Sequence, residues 1–183
     1  GFGRRFLDAS PDELAADVLH QLAALDGVCL SEGVKVAYVK PHGALYNTIV
    51  HHEAQANAVL DAVAAYDQHL PVMCLPGSLV LRLASERGMR GVAEAFADRA
   101  YTASGALVSR REPGAVLHDP DAVAARMLRL VTASEIEAAD GTPVRLDAES
   151  LCTHGDSPAA VAMAGAVRRT LEENGVTIAA FAT

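Results

Sequence analysis

At 183 residues, 51% of them apolar, the chain is long enough for one domain with a sizeable core, and its net charge of −8 disfavours a nucleic-acid footprint, which would need a basic patch. No run approaches the roughly 18 apolar residues of a membrane span, so neither a span nor a signal peptide is expected. The three cysteines, Cys29, Cys74 and Cys152, are odd in number and lack CxxC spacing. That argues against a disulfide framework or a structural zinc site and favours a reducing, cytoplasmic setting.

The opening Gly1-Phe2-Gly3-Arg4-Arg5 has no initiator Met and reads as a loop from mid-protein, so an N-terminal portion is expected to precede it. Ser10-Pro11-Asp12-Glu13 is a helix start, with Ser10 as N-cap, Pro11 at the first helical position and Glu13 closing a capping box. Leu14, Val18, Leu22 and Leu25 then recur at helical spacing. A buried strand is expected over 35–39, followed by a helix over 52–67 whose Ala56, Val59, Leu60 and Val63 share a face. His51 and His52 open that helix and are expected to be exposed. Strand 71–75, helix 78–87 stopped by Gly88 and strand 92–96 come next. The stretch 102–118 reads as a long loop, and Asp119-Pro120 opens a helix over 120–132. A turn with a short strand is expected over 140–148, then strand 150–153, a helix over 158–174 capped by Ser157-Pro158, and a last strand over 176–180. This alternation implies a parallel sheet covered by helices, either a barrel or an open doubly wound sheet. No dinucleotide fingerprint and no phosphate-cradling GxxxxGK[ST] loop follows any strand.

Three polar clusters each follow the C-terminal end of an expected strand, and in parallel α/β folds those ends share the face that carries the active site. The first is VKPHGALYN at 39–47. There His42 is a ligand contact or acid–base group, or a loop histidine bonded to a carbonyl; Lys40 can hold a carboxylate or phosphate; Tyr46 and Asn47 orient a polar ligand or cap the next helix. The second is THGDSP at 153–158, where His154 and Asp156 can bind a metal or form an acid–base pair, and Asp156 can also cap the following helix. The third holds Asp98, Arg99 and Tyr101. Arg99 can clamp a substrate carboxylate in a bidentate pair, or simply pair with Asp98 at the surface. Arg110, in the long loop, can reach the same face or stay solvated.

Taken together, VKPHGALYN at 39–47, EAFADRAY at 94–101, GALVSRREPGAV at 105–116 and CTHGDSPAAV at 152–161 resemble the LamB/YcsF family, in order and along the whole chain. The resemblance implies an α/β fold, a (β/α) barrel of the glycoside hydrolase/deacetylase type, seven-stranded and irregular. It implies one domain over 1–183, N-terminally incomplete, because the family's DLNADLGE, GFHAGD and GAHPSF segments do not occur here. Those segments carry the Asp and His residues best suited to ligate a metal, so the metal ligands are not assigned and a divalent metal stays an option.

The activity it implies is that of the A subunit of an ATP-dependent 5-oxoprolinase, which opens 5-oxoproline to glutamate together with subunits B and C, with ATP as co-substrate. On that reading His42, His154 and Asp156 are the catalytic set. Lys40 and Arg99 hold carboxylate or phosphoryl oxygens, and Tyr46, Asn47, Asp98, Tyr101 and Arg110 complete the substrate wall. The alternatives are a metal-dependent carbohydrate deacetylase or hydrolase, suggested by the fold relationship alone, and a non-catalytic interaction subunit.

Overall fold

The computed structural model describes residues 5–156 and 159–182. They form two compact units, one running up to Ala93 with Ala182, the other spanning Glu94–Phe181.

In the first unit, α1 (Pro11–Ser31) starts on the expected capping box: the Glu13 amide donates to Ser10 Oγ, and the Ser10 amide donates back to the Glu13 carboxylate, both at 3.3 Å. Its buried Val18 and Leu22 lie on the side packed against α3 (Glu53–Asp67), whose Ala56, Val59, Leu60 and Val63 are all fully buried. By length and composition alone α1 is long and apolar enough to cross a membrane, a test that core helices of globular proteins also pass. His52 is half-buried rather than exposed, because its Nδ1 accepts the Gln55 amide as the N-cap of α3.

Strand β1 (Val72–Cys74) is wholly buried and runs parallel to Gly91–Ala93, the first half of β2 (Gly91–Phe96). Between them, α4 (Leu79–Glu86) packs on α3 and β1, and Gly88, at φ 70°, takes the turn that ends it. The strand expected over 35–39 shrinks to one parallel bridge, Val39 to Val72, in which the Val39 amide donates to Pro71 O and the Met73 amide to Val39 O, both at 2.8 Å. Among the described residues it has a neighbour on one side only, and Lys35, Ala37 and Tyr38 are exposed, so nothing extends the ladder.

In the second unit, Glu94–Phe96 of β2 pairs in parallel with β5 (Ser150–Cys152). Helices α5 (Pro120–Ala133) and α6 (Ala160–Glu173) pack together, and Val123, Met127, Met163 and Val167 on them are buried. Asp119 caps α5 by accepting the amides of Asp121 and Ala122. A hairpin of β3 (Glu135–Glu137) and β4 (Pro143–Arg145) follows, of which only the second strand was expected. A lone buried Ile136 between two glutamates is too short a pattern to read as a strand. The strand expected over 176–180 does not form; Ile178 is 44% exposed and the segment pairs with no strand among the described residues. The expected cap Ser157-Pro158 lies outside the described residues.

The long loop after β2 is ordered by main-chain bonds. The Ala100 amide donates to Ala115 O, the Val108 amide to Ala100 O and the Leu117 amide to Asp98 O, at 2.9–3.0 Å. Tyr101 sits beneath it, fully buried, and its hydroxyl accepts the Phe96 amide at 2.7 Å. Burial pushes the Tyr101 phenol up from 10.0 to about 12. Since the folded value is raised, the stabilisation from the neutral phenol is whole below pH 10 and is lost as pH rises toward 12. Tyr101→Phe, which strands a buried amide, is expected to cost about 1–3 kcal/mol in denaturant unfolding at pH 7 and to remove that alkaline decline.

Candidate functional site

The register of the second unit's sheet builds the site. Phe96 lies opposite Cys152, so the residue two places beyond each strand end, Asp98 and His154, should also meet, both pairs being 56 residues apart in sequence. They do: His154 Nδ1 stands 2.8 Å from each Asp98 carboxylate oxygen. A carboxylate only accepts, so the ring nitrogen facing it carries the proton, and Nε2 is left as the basic atom. Phe96 stacks on the imidazole, with ring centroids 5.3 Å apart at 20°. Asp98 is 5% exposed at its side chain and His154 24%, so the carboxylate is shielded while the ring still reaches solvent.

Burial alone would push the Asp98 carboxyl up, but the hydrogen bond and charge of His154 outweigh it and hold Asp98 below its usual value. Arg110, from the long loop, pairs with Asp156 at 3.7 Å, so the loop does reach the THGD segment. Among the described residues no group of three or more His, Cys, Asp or Glu side chains is placed to hold a metal ion.

Two side chains expected at the substrate are placed beneath the loop instead. Arg99 is 6% exposed and donates from Nε to Ala115 O and from Nη2 to Val108 O, fixing both limbs of the loop. Burial, then the charge of Arg110, pulls its pKa below the usual guanidinium range. Tyr101 has the supporting place already described. Conversely, Glu94 was not anticipated: it is 2% exposed and shares the face of β2 that carries Phe96, as alternate strand residues do. The signal was a single carboxylate inside the apolar run GVAEAF.

The first unit carries the KPHG cluster. His42 occupies the N-cap position of a short helix, α2 (Gly43–Thr48), and is exposed; its side chain makes no capping bond. Gly43 takes φ 62°, which only glycine adopts without strain, and so lets the chain turn from extended backbone into α2. Asn47 is exposed and donates to Gly43 O at 3.0 Å, Tyr46 is buried, and Lys40 is half-buried. The turn of helix itself was not anticipated, being only six residues long.

Parallel strands crossed over by helices, with an Asp–His pair at the strands' C-terminal ends, define an α/β protein whose polar site sits where such folds place their chemistry. The LamB/YcsF family model matches residues 1–183, and the chain belongs to that family. It is 59% identical over 182 residues to the 5-oxoprolinase A subunit of Kocuria rhizophila, covering 100% of this chain and 72% of that protein. It is 55% identical over 181 residues to the 5-oxoprolinase A subunit of Corynebacterium jeikeium, covering 99% of this chain and 70% of the relative. The crystal structure of the lactam utilization protein from Thermus thermophilus matches 99% of this chain and 72% of its own, with a TM-score of 0.92 at 44% identity.

Because Asp98 is depressed, the stabilisation it gives is present above its ordinary value of 3.8 and lost as pH falls through the lower folded value. Asp98→Asn is expected to lower stability by about 1.5–3 kcal/mol at pH 7, with the gap to the unsubstituted protein closing in acid below pH 3.8. Denaturant unfolding at a series of pH values measures this.

Proposed function

We propose that the chain acts as the A subunit of a 5-oxoprolinase, a hydrolase that opens the cyclic amide of 5-oxoproline to give glutamate. The observation that carries the reading is the Asp98–His154 pair, with one ring nitrogen held and the other basic, in a chain whose relatives bear that name. The lactam utilization protein supports the same substrate class, since 5-oxoproline is a five-membered lactam.

A lactam ring of this size is stable, so we couple its opening to ATP. In the proposed sequence the amide oxygen takes the γ-phosphoryl group, which makes the ring carbon electrophilic and releases ADP. Water attacks that carbon while His154 Nε2 takes its proton. The carbon–nitrogen bond then breaks, the nitrogen regains a proton from the imidazolium, and an acyl phosphate is left, which a second water cleaves to the carboxylate of glutamate and inorganic phosphate. Asp98 stabilises the imidazolium throughout. Arg110, tethered beside Asp156, supplies positive charge for phosphoryl oxygens, with Asp156 orienting the water or ring. Arg99 and Tyr101 hold the loop that bears Arg110. For the first unit we retain the roles read from its motif: Lys40 toward a carboxylate or phosphoryl oxygen, His42 toward a proton, Tyr46 and Asn47 toward polar groups of the ligand.

We propose also that the parallel strands belong to a seven-stranded (β/α) barrel, that subunits B and C complete the enzyme, and that it works in the cytoplasm. The alternation of helices with β1, β2 and β5 supports the first, the word subunit in the relatives' names the second, and the odd number and wide spacing of the three cysteines the third.

The test is 5-oxoproline-dependent ATP hydrolysis by the protein reconstituted with its partner subunits. His154→Ala is expected to lower turnover about 100-fold or more, and His42→Ala to lower it as well. Unchanged turnover in a folded His154→Ala protein sinks the proposal.

A further inference from the structure

Helix α5 sends one long side chain back to the segment that carries Asp98. Arg126 donates from Nη1 to Arg99 O at 3.0 Å and to Ala97 O at 3.4 Å, and from Nη2 to Glu137 O at 3.4 Å. Its guanidinium carbon lies 5.5 Å from the centre of the Tyr101 ring, within cation–π range. The first two acceptors are the carbonyls on either side of Asp98. Two carbonyls gripped by one planar group fix the peptides between them, and with them the direction in which the Asp98 side chain leaves the chain. Arg126 is far from idle charge: burial pulls its pKa below the usual guanidinium range, and a guanidinium shielded from water needs acceptors of this kind. No motif in the sequence marks it, because it stands on a helix of ordinary amphipathic pattern well outside the three clusters.

We infer that Arg126 is a positioning residue for the Asp98–His154 pair. It holds the main-chain oxygens flanking Asp98, so that the carboxylate meets His154 Nδ1 with both oxygens and fixes the ring with its basic nitrogen at Nε2. It touches neither substrate nor His154; it acts through Asp98. The inference about geometry stands on the contacts themselves, while its effect on turnover rests on the function proposed above.

Arg126 also borders a cavity of about 600 Å³ with Arg129, Leu117 and Ala138, so a shorter or neutral side chain can be accommodated without a clash. The test compares Arg126→Met and Arg126→Lys in the full protein. The first readout needs no substrate: nitrogen and proton NMR of the His154 ring, which reports the tautomer and the Nδ1 proton bonded to Asp98. The second is turnover with the partner subunits. In Arg126→Met the Nδ1-protonated form is expected to lose its dominance, and kcat to fall about 10- to 100-fold with KM changed less than about 2-fold. Arg126→Lys, able to reach one of the two flanking carbonyls, is expected to recover part of both. A folded variant whose His154 spectrum matches the unsubstituted protein overturns the inference. If Arg126→Met does not fold, the Lys variant decides by the same spectrum. A changed spectrum with unchanged turnover upholds the positioning role and overturns the functional reading instead.

Discussion

A carboxylate almost sealed from water must keep a proton donor beside it, and the second unit is arranged around meeting that need for Asp98. The parallel register of β2 and β5 brings His154 to it, and Phe96 covers the face of the ring. The Leu117 amide takes the Asp98 carbonyl, tying the far limb of the loop to the same residue. Removing the histidine would leave the charge uncompensated; removing the carboxylate would free the ring to turn over and exchange its nitrogens. Orientation and stability therefore come from the same contact, and a change that loosens one loosens the other.

The chain shows how far local pattern carries. Helices with a cap at one end and a glycine or polar stop at the other were legible: Ser10 with Glu13 for α1, Asp119-Pro120 for α5, Gly88 after α4. Strands were legible at 72–74, 91–96 and 150–152, where a parallel partner exists along their length, and misleading at 35–39 and 176–180, where it does not. The run over 35–39 has the composition of a core strand, yet ladder formation depends on a second chain segment that composition does not encode. Ile136 shows the reverse case, a strand made by its hairpin partner rather than by its own three residues.

The site was legible in its residue types and less so in their division of labour. Asp98 and Arg99 are adjacent and equally polar in sequence, but alternation along the chain sends one toward His154 and the other under the loop. Tyr101 looked like a ligand-facing hydroxyl because nothing in the sequence says that Phe96 would need an acceptor for its amide. Arg126 was invisible for a related reason: its partners are backbone carbonyls, which every residue has and no motif records.

Such backbone contacts bear on how the protein can change. Arg99 and Arg126 grip main-chain oxygens of residues 97, 99, 108, 115 and 137, not their side chains. Apart from Arg110, the frame around the Asp–His pair is thus indifferent to which side chains the loop presents between 102 and 114, provided that the loop keeps its length and its turns. A lineage could exchange residues along that loop one at a time, and so retune what the site admits, while the two arginines hold the chemistry in place.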